Sequence, residues 1–275
     1  MPATKFRLLI SDIDGTLVTN DKVLTEAAVT AAHDLHKAEV ALAITTARPP
    51  RGAAMLIAPL KLTMPIAGFN GGLIVEPDMT VIEAWPIDPQ AARQIVDFLL
   101  IHDFDVWIYD ETDWYLRDPR APHVEREAWM IRFAPTVVTN FADVLLQRAF
   151  KIVGVSDDLE KVAAGEQMAQ TSLGHLTSAA RSTPYFLDFT HVRANKGEVV
   201  ETLARRLAIS VDDVATIGDM VNDVAMFRHS GFSVAMGNAS DAVKAKASAV
   251  TASNEDEGFA KAVRDFILPG PQHAL

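Results

Sequence analysis

Two aspartates set two residues apart, Asp12 and Asp14, follow the apolar run Phe6 to Ile10 and precede Gly15-Thr16. The run reads as a buried strand, so both carboxylates fall in the loop at a strand's carboxyl end, where open parallel sheets bind ligands. Two acids on one turn repel, and each is driven toward its protonated form unless a cation lies between them. Mg2+ is the natural candidate, a hard ion that takes carboxylate and carbonyl oxygens and also contacts substrate phosphate. An Asp carboxylate can itself be the nucleophile of phosphoryl transfer, forming an aspartyl-phosphate. On this stretch alone the structural alternative, an Asp-rich turn with Gly15 at positive φ, stays open.

Three more groups follow in chain order: Ile44-Thr45-Thr46-Ala47-Arg48-Pro49, then Asn195-Lys196-Gly197, then Gly218-Asp219-Met220-Val221-Asn222-Asp223. With Asp12-Ile13-Asp14-Gly15-Thr16 they resemble the ordered motifs of the haloacid dehalogenase superfamily, and most closely its Cof-type phosphatase branch, over nearly the whole chain. The resemblance implies that Asp12 attacks phosphorus and that Asp14 protonates the leaving alcohol and then activates water. That double duty calls for a pKa near working pH. It further implies Mg2+ held by Asp12, the backbone carbonyl of Asp14 and Asp219, with Asp223 behind them orienting waters or Lys196. Lys196 opens a predicted helix, where the dipole already favours an anion, and would neutralise nucleophile and phosphoryl group.

By the same resemblance Thr46 holds a phosphate oxygen, with Thr45 a competing candidate, and Asn222 contacts phosphate or the waters of the metal. Arg48 contacts substrate or anchors a cap, a surface ion pair being the alternative. Asn70-Gly71 resembles a substrate-facing turn, although the dipeptide is also a common hairpin signal. Gly237-Asn238-Ala239 is a further match that shapes the floor of the site. The chain departs from the family's Thr-Gly-Arg at Ala47, whose methyl group narrows close backbone approach and excludes an easy positive φ.

These loops need a scaffold. Leu24 to Val40 reads as a helix, Val40 to Thr45 as a strand, Pro49 to about Leu60 as a helix and Leu73 to Val75 as a strand. After the third motif come a helix from Lys196 to Leu207, the strand Val214 to Ile217, a helix from Asn222, the strand Phe232 to Ala235, and helices at Asp241 to Ala247 and Phe259 to Ile267. Strand, polar loop, helix in repetition predicts an α/β fold, a Rossmann-like doubly wound parallel sheet. Between them the character changes. Strands at Asp105 to Tyr109, Trp114 to Arg117, Ala149 to Val155, Leu176 to Ala180 and Tyr185 to Phe189 outnumber the helices at Pro89, Glu125 and Leu159, which predicts an inserted α+β domain with an antiparallel sheet, and the resemblance implies that it is the large cap. The expected division is 1–84 and 190–275 for the core and 85–189 for the cap. Trp107, Tyr109, Trp114, Arg181 and His191 are candidates to line a substrate pocket, the aromatics being more naturally core.

With 275 residues, 49% of them hydrophobic, the chain can bury a large core, and its net charge of −11 argues against nucleic-acid or anionic-membrane partners. There is no cysteine, which excludes disulfide and thiol chemistry. Met1 to Arg7 lacks the apolar core of a signal peptide, no apolar run reaches the roughly 20 residues of a membrane span, and Pro269 to Leu275 reads as a frayed tail. The expectation is a cytoplasmic monomer or homodimer whose partner is a small phosphorylated metabolite. It would hydrolyse phosphomonoesters with Mg2+, sugar phosphates favoured and nucleotide or cofactor phosphates open. Sugar phosphomutase and a non-catalytic phosphate-sensing module are the rivals; dehalogenation needs neither the Asp14 acid nor the Asp219 metal site.

Overall fold

The computed structural model describes residues 6–268. The expected frayed tail, Pro269 to Leu275, and most of the leader segment read above lie outside the described residues. Among those described, no helix is long and apolar enough to cross a membrane.

The chain opens with β1 (Leu8–Ser11), β2 (Ala41–Thr45), β3 (Ile66–Gly68), β4 (Leu73–Val75) and β5 (Val81–Ala84). It then builds β6 (Asp105–Tyr109), β7 (Trp114–Leu116), β8 (Thr136–Val137), β9 (Lys151–Val155), β10 (Ser178–Thr183) and β11 (Phe186–Thr190). Finally it returns with β12 (Val214–Gly218), β13 (Phe232–Ala235) and β14 (Ala249–Val250). The first and last groups form one eight-stranded sheet in the order β14-β13-β12-β1-β2-β3-β4-β5. Pairing is parallel from β14 to β3 and antiparallel for β3/β4 and β4/β5. A sheet parallel throughout was expected. After Gly68 the connection is the short turn at 69–72, and a link that short can join only antiparallel neighbours.

Alternate residues of β1 feed opposite faces, as strand geometry requires. Leu9 packs with Ala28, Ala32 and Leu35 of the helix Glu26–Lys37, whereas Leu8 and Ile10 pack with Val199, Val200 and Leu203 of the helix Lys196–Leu207. Burial on both faces explains why these strands read as unbroken apolar runs. The helix expected from Pro49 to Leu60 is divided into Pro50–Ala53, a 3-10 turn at Ala54–Leu56, and Ile57–Leu60. β3, β5, β8 and β14 were not anticipated; at two to four residues they are too short to display a period.

The six-stranded sheet has the order β10-β11-β9-β6-β7-β8, antiparallel except for β7/β8. One face packs Ile108, Ile152, Leu187 and Phe189 against the helices Pro89–Ile101 and Leu159–Leu173. The other carries Trp107, Tyr109, Trp114, Val153 and Phe186 and shares an apolar cluster with the first sheet. Phe69, beside the Asn70-Gly71 turn, stacks on Phe150 at 5.8 Å and meets Tyr109 edge-on at 6.1 Å.

Candidate active site

Four loops converge at the carboxyl ends of β1, β2 and β12 and at the amino end of the helix Lys196–Leu207. Asn195 caps that helix, its side chain accepting from the backbone N–H groups of Gly197 and Glu198. The cap fixes where Lys196 starts, and the lysine side chain runs inward, 1% exposed. Its Nζ donates to Asp12 Oδ1 at 2.5 Å and to Asp223 Oδ1 at 2.6 Å. Burial opposes the charge on Lys196, yet the carboxylates of Asp12 and Asp223 overcome it and raise its pKa.

Asp12, Asp219 and Asp223 bring one carboxylate oxygen each to within 4.8 Å of the others, all buried. One lysine cannot balance three acids. Burial, reinforced by the charges of Asp223, Asp219 and Asp14 and opposed by Lys196, pushes Asp12 well above the usual carboxylate range. Asp219 is lifted to about 7 by burial and the neighbouring Asp223 charge. Such a site is short of positive charge and rich in hard oxygen donors, the surroundings that suit a divalent cation. Backbone geometry keeps the space open: Gly15 adopts φ +78°, and a Cβ there would meet Asp219 Oδ2. Asp219 also accepts from Thr16 Oγ1 at 3.3 Å and from Asn238 Nδ2 at 3.2 Å. Asp223 is spent on scaffolding, its Oδ2 taking the N–H groups of Asp219 and Met220 and its Oδ1 taking Lys196. Each of the three acids could offer an oxygen to a metal ion; the bonds that Asp219 accepts, from neutral donors at 3.2 and 3.3 Å, are the longest of the three sets.

Asp14 lies apart from this triad. Arg48 Nε and Nη2 grip its two oxygens at 2.6 Å each, and Lys22 Nζ adds a contact at 2.8 Å. Burial would raise its pKa, but these partners, Arg48 foremost, lower it to about 2. A carboxyl poised near working pH was expected; here it is firmly ionised, because two cations converge on it from loops that sequence spacing does not connect. Arg48 is no surface ion pair. It is 3% exposed and also donates through Nη1 to the carbonyls of Gly52 and of Met130 in the helix Val124–Ile131, which lies in the inserted segment.

Thr46 Oγ1 accepts from the backbone N–H of Arg48, while the hydroxyl of Thr45 is buried without a hydrogen-bond partner among the described residues. Asn222 Nδ2 donates to Asn70 Oδ1 at 3.0 Å, joining two loops 152 residues apart. Asn70 takes the left-handed conformation, φ 58°. Gly71 approaches the helix Lys196–Leu207 so closely that a Cβ would meet Val199 Cγ2 at 2.7 Å. Arg181, on the edge strand β10, is paired with Glu166 of the helix Leu159–Leu173. His191 stacks on Trp85 at the crossing between the two sheets.

The family model for haloacid dehalogenase-like hydrolases matches residues 9–263. The chain belongs to that family. This haloacid dehalogenase-like hydrolase is 29% identical over 258 residues to a putative phosphatase of Haemophilus influenzae, covering 93% of this chain and 96% of the relative. It is 25% identical over 262 residues to a 5-amino-6-(5-phospho-D-ribitylamino)uracil phosphatase of Bacillus subtilis, covering 95% and 96%. Its fold matches a haloacid dehalogenase-like hydrolase from Bacteroides thetaiotaomicron with a TM-score of 0.86 at 24% identity, over 94% of this chain and 98% of that one. Two participants carried no sequence signal of their own role. Thr16 sits inside the first motif without an assigned partner, and Lys22, whose backbone is left-handed with φ 60°, reaches back to Asp14 from eight residues on.

Proposed function

We propose that the chain is a Mg2+-dependent phosphatase of small phosphomonoesters that works through a covalent intermediate on Asp12. The observation that carries this reading is Lys196, buried between Asp12 and Asp223 in a cluster otherwise too acidic to be stable. Lys196 occupies Oδ1 of Asp12, which leaves Oδ2 to attack phosphorus. The new bond joins Asp12 to phosphorus while the ester P–O bond breaks, and the leaving alkoxide takes a proton from Asp14. Water then attacks the phosphoaspartate, gives its proton to the Asp14 carboxylate and releases phosphate. The ionised Asp14 gripped by Arg48 and Lys22 is the proton-accepting state; donation requires the carboxylate to leave those cations when substrate binds. Mg2+ held by Asp12, Asp219 and the Asp14 carbonyl would supply the positive charge that the phosphoryl oxygens need.

The segment 85–189 serves in this reading as a cap that excludes water and chooses the leaving group, and Arg48, touching both Asp14 and Met130, links it to the reacting centre. Sugar phosphates are the favoured class, with nucleotide and cofactor phosphates behind them; support comes from the ribityl-bearing phosphate named for one relative. The test is phosphate release from a panel of phosphomonoesters, with and without Mg2+, by the native chain and by Asp12→Asn. Metal-dependent release lost in the variant is the expected result. Equal release by both proteins would overturn the proposal.

A further inference from the structure

The chain crosses between the two sheets after β5 and crosses back between β11 and the helix Lys196–Leu207, and one indole joins the two crossings. Trp85 directly follows β5. Its backbone N–H donates to the carbonyl of Gly72 at 2.7 Å, and its Nε1 donates to Glu83 Oε1 at 3.0 Å. From the second crossing the Arg193 guanidinium lies 3.8 Å from the centre of the Trp85 ring, and the His191 imidazole stacks on that ring at 5.6 Å. Two basic side chains, two residues apart, thus meet on a single aromatic.

The hydrogen bond that His191 makes depends on its charge. Nδ1 accepts from the backbone N–H of Arg193 at 3.1 Å, so that nitrogen carries no proton and the ring is neutral. A proton on Nδ1 would set a donor against a donor and a second cation beside Arg193. An imidazolium gains something from an indole face, but here it forfeits the N–H bond and meets the guanidinium. Burial first, and then the Arg193 charge, draw the His191 pKa below the ordinary imidazole value. The acids nearby are engaged elsewhere: Glu83 of β5 takes the Trp85 indole, and Glu198 of the helix Lys196–Leu207 faces Arg193 at 3.7 Å. The turn leads directly to the site. The carbonyl of His191 accepts from the Ala194 N–H at 2.8 Å and that of Arg193 from the Asn195 N–H at 2.9 Å, and Asn195 caps the helix whose first residue, Lys196, holds Asp12.

We propose that His191 is a proton-operated latch on the crossings between the two sheets: neutral, it holds the turn 191–195 against Trp85, and protonated on Nδ1 it lets that turn go. The sign follows from linkage. A base whose pKa is lowered in the latched state gives up latching as it takes on a proton, so the latch is complete above the ordinary imidazole value of about 6.5 and weakens as pH falls below it. Acid therefore loosens the seat of the six-stranded sheet on the eight-stranded one and, through Asn195, the start of the helix that carries Lys196. The device concerns how the two parts are joined, and it does not rest on the phosphatase reading.

The experiment is amide hydrogen exchange of the full chain, read by mass spectrometry in steps from about pH 7.5 to about pH 5 and corrected for intrinsic exchange rates, with a peptide from β9 as the reference. The native chain is compared with His191→Asn, whose carboxamide oxygen can accept the Arg193 N–H and takes up no proton, and with Arg193→Gln; thermal melts establish that each variant is folded. Native protection in 191–195 is expected to fall about fivefold on acidification, as the loss of one hydrogen bond requires. His191→Asn should hold its protection throughout. In Arg193→Gln, relieved of the guanidinium, the fall should come at higher pH, which keeps the test decisive if His191→Asn does not fold. Protection in 191–195 that is independent of pH in the native chain overturns the latch. So does a fall of equal size in His191→Asn, or one at an unaltered pH in Arg193→Gln.

Discussion

The two sheets handle charge in opposite ways. In the eight-stranded sheet every strand but the edge strand β5, which holds Glu83, is free of charged residues, and the site's acids are gathered in loops beyond the carboxyl ends, where Lys196 and backbone N–H groups meet them. In the six-stranded sheet Lys151 and Asp188 stand within strands, on a face otherwise made of Trp107, Tyr109, Trp114 and Phe186. A loop at a sheet edge can collect several like charges because its backbone is free to satisfy them. A charge inside a strand has only its cross-strand neighbours. In the phosphatase reading proposed above, the first arrangement serves the chemistry common to all substrates, and the second lies in the segment proposed to choose between them.

Changes at the loop rim should then weaken turnover of every ester alike, and the largest such effect is expected from Lys196→Met. It leaves Asp12 and Asp223 buried without their cation, which costs about 3–5 kcal/mol of stability in metal-free protein and about a thousandfold or more in kcat. Thermal melts and kinetics on two dissimilar esters check it. A change in the order of ester preference would break the division of labour between the sheets.

Metal and pH probe the same rim. Between the ordinary carboxylate value near 4 and about 7, folded Asp219 keeps a proton that the unfolded chain has released, so metal-free stability must fall as pH rises through that window. Asp14, lowered to about 2, works the other way: its contribution is complete above about pH 4 and is lost as pH falls toward 2. Chelated protein should be most stable at about pH 4 and melt about 10 °C lower at about pH 8. Saturating MgCl2 should flatten the decline, because a bound cation offsets both the burial and the repulsion that raised Asp219. A decline of the same size with and without Mg2+ would place its cause elsewhere.

Trp85→Ala tests the junction between the sheets. Arg193 lies 3.8 Å over the Trp85 ring, and His191 stacks on Trp85 at 5.6 Å, so one aromatic ties together the two segments that cross between sheets. Its loss is expected to shift kcat and KM together by about threefold and to lower stability by about 1 kcal/mol. Movement of KM for one ester alone would assign Trp85 to recognition instead.

How much of this was readable follows from the same contrast. Asp12, Asp14, Asp219 and Asp223 announce themselves because residues two to four apart in a loop after an apolar run must share its end. The Lys151–Asp188 pair stays hidden, since Phe186-Leu187-Asp188-Phe189 reads as an apolar strand with a single interruption, and only the register with β9 shows what lies next to it. Arg48 falls between the two cases. Its position after Thr46 was visible, but its convergence with Lys22 on Asp14 depends on tertiary approach, and with it the depressed pKa that spacing could not foretell. The antiparallel end of the large sheet was missed for a simpler reason: β3 and β5, of three and four residues, carry no period, so the strand foreseen at Leu73 to Val75 had no legible partners.

Ala47 is where a reading from the motif and a reading from the structure lead to different experiments. The family's glycine suggests a backbone that a methyl group would strain, so Ala47→Gly should speed the enzyme. Ala47 is not among the residues with positive φ, although Phe69 and Asn70 in the facing turn are. The loop is also pinned on both sides, by the Thr46 N–H donating to Ala67 and by the Arg48 N–H donating to the Thr46 hydroxyl. A residue in an ordinary conformation gains nothing from glycine and loses the restraint its methyl imposes on the unfolded chain. Ala47→Gly should therefore cost about 0.5–1 kcal/mol in stability and leave kcat/KM within about twofold for polyol and aryl esters alike, this being the smallest change a rim substitution can make. A gain in turnover on both esters would mean that the methyl group restrains a loop motion in catalysis. A gain on the polyol alone would carry discrimination into the rim and dissolve the contrast between the sheets.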